Sequence, residues 1–219
     1  MIRDMSTFTR RDCMGLALTG LAGWPVLGHA ADAPAASSAA PTAPVEIEGF
    51  KFEPSATVAG KPLLLNGATV SLILSVRTTV VALYLPHKQT TPEAALAEPG
   101  AKRLCFYSMR EVSAKDLSNT FLDRLRQNAA SEEIAANFIA IAQFGSAFSN
   151  RSKLVRGDFV VMDFNPTTNL TEMTLNGQKV GDAMQGESFF RMLMKIWMGP
   201  KVRPATRRGL LGDSNATAA

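Results

Sequence analysis

The sequence has little cysteine, little histidine and little charge. Its 219 residues include two cysteines, Cys13 and Cys105, and two histidines, His29 and His87. Two thiols exclude a disulfide framework and any Cys-rich zinc module, and two imidazoles leave almost nothing for a histidine metal site. No cofactor is expected. Charged residues make up 19% of the chain and aromatic residues 7%, against 46% hydrophobic. That balance suits an ordinary folded domain and excludes wholesale disorder. The net charge of +4 is small and dispersed, so nucleic acid is not an expected partner. The sequence contains no phosphate-cradling glycine loop, nucleophile elbow, zinc-protease helix or paired-carboxylate motif.

What is present begins with an export signal over residues 1–30. A charged start leads into an apolar run from Met14 to Gly28, and small residues follow at Ala30 and at Ala31 and Ala33. The run is short and broken by glycines and Pro25, so it is not a membrane span. Thr9-Arg10-Arg11 resembles the twin-arginine export signal, in which a receptor reads Arg10 and Arg11. The expected location is therefore the periplasm, with the export machinery as a partner and no transmembrane segment in the mature chain. After cleavage Cys105 is the remaining thiol, and its setting in Arg-Leu-Cys-Phe-Tyr reads as a buried, inert one.

Residues 31–44 form an Ala/Pro/Ser linker that cannot bury a core. One domain is expected over 45–213, followed by a disordered tail over 214–219. Residues 45–52 and 61–65 read as strands, with Asn66-Gly67 as a tight turn. The β-branched run 69–85 reads as one long bent strand or two joined by a bulge, and 102–109 as another strand. The period then becomes helical. Ser113 and Asp116 form the cap of a helix carrying Leu117, Phe121, Leu122 and Leu125. Ser131 is expected to cap a second helix with the stripe Ile134, Phe138, Ile141 and Phe144 or Phe148. Strands return at 158–164 and 170–175, and Asn176-Gly177 closes a hairpin. A helix over 187–198 stopped by Gly199-Pro200, and a short one over 204–211, complete an α+β domain with an antiparallel sheet.

Several stretches, in this order, resemble the exported bacterial chalcone isomerase-like proteins, relatives of plant chalcone isomerase. They are Leu65-Asn66-Gly67-Ala68, Val81-Ala82-Leu83-Tyr84-Leu85-Pro86 and Met109-Arg110-Glu111-Val112-Ser113, then Leu175-Asn176-Gly177-Gln178, Phe189-Phe190-Arg191, Ile196-Trp197-Met198-Gly199 and Gly209-Leu210-Leu211-Gly212. The resemblance implies a curved antiparallel sheet packed on a layer of helices with a ligand cleft between them. It also implies five polar cleft positions in the isomerases, which fall here on Ser71, Thr79, Leu117, Arg124 and Ile196. Thr79 alone keeps the family's residue, and a leucine or isoleucine cannot donate to an enolate oxygen.

No catalytic residue is therefore assigned. Noncatalytic relatives hold fatty acids. The candidate ligand-binding residues are Ser71, Arg77, Thr79, Leu117, Phe121, Arg124, Ile196 and Trp197. Arg124 follows Leu117 by two helical turns and shares its face. Arg77 and Thr79 share strand parity. The expected function is non-catalytic binding of an apolar or amphiphilic small molecule, fatty-acid-like or an aromatic acid. An isomerase with an altered residue set and a structural or partner-binding envelope protein are the alternatives.

Overall fold

The computed structural model describes residues 43–73 and 75–218. The expected export segment with Arg10 and Arg11, and residues 31–42 of the expected linker, lie outside the described residues. The chain opens with strands β1 (Val45–Ile47) and β2 (Phe50–Phe52), joined through Glu48 and Gly49 at φ +56° and +81°. Two consecutive positive φ values make this a tight hairpin turn of the kind matched to strand twist. Strands β3 (Ser55–Val58), β4 (Lys61–Ile73) and β5 (Val76–Leu85), helix α1 (Pro92–Ala97) and strand β6 (Lys102–Ser108) follow. A small pair, β7 (Val112–Ser113) and β8 (Lys153–Leu154), brackets helices α2 (Ala114–Asn128), α3 (Ser131–Ala136) and α4 (Phe138–Ser146). Strands β9 (Phe159–Asn165), β10 (Leu170–Leu175), β11 (Gln178–Lys179) and β12 (Met184–Gln185) lead to helices α5 (Glu187–Met198) and α6 (Pro204–Leu210).

The main sheet runs β11-β10-β9-β6-β5-β4-β3, with β12 also on β10, and its pairings are antiparallel. Strand alternation gives the sheet two apolar faces. Leu83, Leu85, Phe106, Val160 and Met162 face the helix layer with Phe121, Phe144 and Trp197. Val80, Ala82, Tyr84 and Cys105 face the other way, where Ile47 and Phe52 of the β1–β2 hairpin cover them. With both faces covered, β5 is buried continuously from Thr78 to Leu85, which is why its sequence reads as an unbroken β-branched run. Helix α5 is apolar nearly all round because it is buried nearly all round. The 3-10 turn Ser214–Ala218 packs on α6 and β4 and buries Ala216, where a disordered tail was expected.

Four other local expectations are corrected. Asn66-Gly67 is not a turn but lies inside β4. The turn before it is Ala59-Gly60, at φ +50° and +73°. The run 69–85 is neither one bent strand nor two joined by a bulge: β4 and β5 meet in a reversal whose Ser75 has φ +64°. A bulge does occur between Ser71 and Leu72, which pair with Thr79 and Arg77 and leave Thr78 as the extra residue. Ala130, not Ser131, caps α3, because the Glu133 carboxylate accepts from the Ala130 amide at 2.9 Å. The apolar stripe breaks at Asn137, whose side-chain amide donates to the Glu133 carbonyl at 2.7 Å. Phe138 and Ile139 are consequently 69% and 74% exposed, while Phe144 and Phe148 are buried.

Candidate functional site

Three neighbouring strands present a row of small hydroxyls to the helix layer. Ser71 of β4 pairs with Thr79 of β5, which pairs with Ser108 of β6. All three are buried. The Ser108 hydroxyl donates to the Arg110 carbonyl at 2.7 Å. Thr79 Oγ1 has no partner within the protein, and neither does Trp197 Nε1, although both residues are fully buried. Orphaned buried polar atoms of this kind are uncommon.

Arg124 reaches this row from the last turns of α2. Ser113 Oγ caps the start of that helix by accepting from the Asp116 amide at 3.3 Å, which sets the helix register and so the azimuth of Arg124. Its Nη1 donates to Ser71 Oγ at 3.2 Å, and its Nη2 donates to the Leu72 carbonyl. The side chain is half-buried, and burial pushes its pKa below the usual guanidinium value. Among the described residues no carboxylate lies within ion-pair distance of it. Arg124 lines a pocket of about 100 Å³ together with Ser71, Leu72, Asn128, Lys201 and Arg203. Asn128 stitches this corner together: its amide donates to the Arg124 carbonyl at 2.8 Å, and its Oδ1 accepts from the Lys201 amide at 2.8 Å. Gly199 permits that closeness, since a Cβ there would lie 2.3 Å from Asn128 Oδ1.

The other candidates do not line this pocket. Leu117, Phe121, Ile196 and Trp197 are at most 1% exposed and interlock beneath it. Phe121 meets Phe106 edge-on at 5.7 Å and Trp197 at 5.0 Å. Arg77 is corrected: the bulge separates it from the hydroxyl row, and it lies exposed in an ion pair with Glu48 at 2.5 Å. Asn128, Lys201 and Arg203 were not among the candidate residues. The signal for them was a basic stretch after Gly199-Pro200 without an acid until Asp213. A larger pocket of about 480 Å³ lies at the other end of α6, between β1, Leu65–Ala68 of β4, Gly209 and Gly212.

The model of a family described as chalcone isomerase-like matches residues 44–212. The chain belongs to that family. A solved fatty-acid binding protein of Arabidopsis thaliana superposes with a TM-score of 0.58 at 14% identity, over 80% of this chain and 98% of that one. No curated protein matches the sequence significantly. The fold is the chalcone isomerase-like one, a curled antiparallel sheet under a helix layer. Within it, Ser71 and Arg124 stand at two of the five positions the isomerases make polar, and they touch each other. Leu117 and Ile196 stand at two others and offer no donor. Burial pushes the Cys105 thiol well above its usual pKa, so it supplies no nucleophile. Among the described residues no three metal-ligating side chains converge.

Proposed function

We propose that this chalcone isomerase-like protein is a non-catalytic binder of a small amphiphilic acid, with the anionic head group held at Arg124. The observation that carries the reading is a half-buried guanidinium that reaches Ser71 and a backbone carbonyl but meets no carboxylate among the described residues. A cation in such a place is costly unless an anion satisfies it. An incoming carboxylate can take the remaining guanidinium donors in a charge-assisted pair. Leu72 and Val202, both half-buried, give the pocket an apolar side against which the ligand body can rest. The fatty-acid binding of the Arabidopsis protein supports the same class of ligand by likeness of fold.

Calorimetric titration with laurate and with an aromatic acid tests this. Arg124→Leu should weaken binding at least tenfold and leave folding stability equal or higher, since a lone half-buried charge is removed. Unchanged binding in that variant, or no binding to the native chain, overturns the reading. Chalcone added to the same protein should not cyclise above the uncatalysed rate, because neither Leu117 nor Ile196 can donate to a developing enolate.

We also propose that the protein acts in the periplasm after twin-arginine export. Arg10→Lys with Arg11→Lys should then leave the precursor inside the cell, because a receptor reads the arginine pair and not charge alone. Fractionation that finds undiminished mature protein in the periplasm refutes this.

A further inference from the structure

Resting on the reading of Arg124 as the anion anchor, we infer that the head group it takes is a phosphoryl group, a phosphate monoester, in preference to a carboxylate. The pocket of about 100 Å³ equals the liquid volume of about three waters, at roughly 30 Å³ each. It fits a head group and excludes a chain. Three cations line it, Arg124, Lys201 and Arg203, and none of them meets a carboxylate among the described residues. A carboxylate brings one negative charge to these three. A phosphate monoester at neutral pH brings about 1.5 to 2 charges and three strong acceptor oxygens.

The donor supply fits the larger anion. Arg124 spends one nitrogen on Ser71 and another on the Leu72 carbonyl, which leaves donors on a guanidinium that carries five. The Ser71 hydroxyl is 1% exposed and accepts from Arg124, and its own proton has no acceptor among the described residues. That buried donor sits on the pocket wall. Lys201 is placed by its backbone amide on Asn128, which leaves its ammonium uncommitted among the described residues. The Asn128 side-chain amide and carbonyl are both already engaged, so it fixes the site's shape without competing for the ligand.

The test titrates the full chain at pH 7.5 and constant ionic strength with octyl phosphate, octanoate, inorganic phosphate and acetate. Octyl phosphate should bind at least tenfold tighter than octanoate, and inorganic phosphate should compete with it. Octyl phosphate should weaken as pH falls through about 6, where the monoester gains its second proton, while octanoate should not. Lys201→Gln with Arg203→Gln should reduce octyl phosphate affinity at least fivefold and octanoate affinity by less. If octyl phosphate exceeds inorganic phosphate by tenfold or more, the group belongs to a lipid-like ligand. Equal affinities make it a free phosphorylated small molecule. Octanoate binding as tightly as octyl phosphate overturns the phosphoryl assignment and leaves the anion site standing. Failure of all four probes overturns both.

Discussion

Gly67 shows how much a missing side chain can hold in place. A Cβ on it would lie 2.2 Å from the Gly209 carbonyl oxygen and 2.7 Å from the Gly212 nitrogen, which are backbone atoms that cannot swing aside. Gly209 meets the same limit from its own side, where a Cβ would come within 2.5 Å of the Thr69 Cβ. Gly67→Ala must therefore lift α6 off β4. The expected loss is about 3 kcal/mol, at the upper end of ordinary overpacking, or a fall of roughly 6–12 °C in Tm. Gly177→Ala is the control. That turn glycine has φ +79° with nothing within 4 Å of a Cβ, so it carries backbone strain alone and should cost about 1 kcal/mol. Thermal unfolding of both variants decides the point: equal losses would mean that the close approach at Gly67 is not tight in solution.

Helix α6 acts as an edge cover. Strand β3 pairs with β4 only from Lys61 to Leu64, and α6 lies against the rest of β4. Thr206 Oγ1 donates to the Val70 carbonyl at 3.5 Å, and Asn66 Nδ2 donates to the Leu210 carbonyl at 2.7 Å. Asn66 also donates to the Gln89 carbonyl and accepts from the Gln89 amide, so one side chain ties β4, the loop after β5 and α6 together. Asn66→Ala strips partners from these groups and should cost about 2–3 kcal/mol. Hydrogen exchange should quicken at the amides of 65–70 first, and a urea midpoint like that of the native chain would contradict this role. The same residues explain what the sequence did and did not disclose. The helical stripe of α2 and α5 and the strand periods of β6, β9 and β10 were legible because each has a single buried side or a continuous buried run. Asn66-Gly67 misled because its dipeptide is a strong local turn signal, whereas its use here is a tertiary contact with a helix 140 residues on. Arg77 misled because one bulge reverses every later parity. The meeting of Arg124 with Ser71 joins positions 53 residues apart, which no periodicity encodes. It became a candidate pair only through resemblance to the family.

At the scale of the whole molecule, α5 is fastened at both ends by ion pairs. The fully buried Lys102 of β6 binds Glu187 in the first turn of α5 at 2.8 Å, and Glu133 of α3 binds Lys195 in its last turn at 2.6 Å. Burial by itself would raise Glu187, but the hydrogen bond from Lys102 and the charges of Lys102 and Arg191 outweigh it and hold the carboxyl below its usual value. The Lys195 hydrogen bond does the same for Glu133 against a smaller burial effect. A carboxyl whose pKa is lower in the folded chain than in the unfolded one stabilises the fold above the unfolded value. That contribution disappears as pH falls through the folded one. The window therefore opens at the ordinary carboxylate value of 4.5 and runs downward. Lys102 carries the opposite sign and a distant window: burial lowers its pKa, so its effect belongs to alkaline pH and does not confuse the acid limb. Urea midpoints measured from pH 7 to pH 3 should fall steeply below about pH 4.5. Glu133→Gln should lower the midpoint at pH 7 and make the acid fall shallower, because the variant has one fewer carboxylate to protonate. Glu187→Gln should do likewise with a larger loss at pH 7, since it leaves the buried Lys102 ammonium without its counter-charge. Acid limbs that run parallel to the native chain in both variants would show that neither pair links protonation to folding.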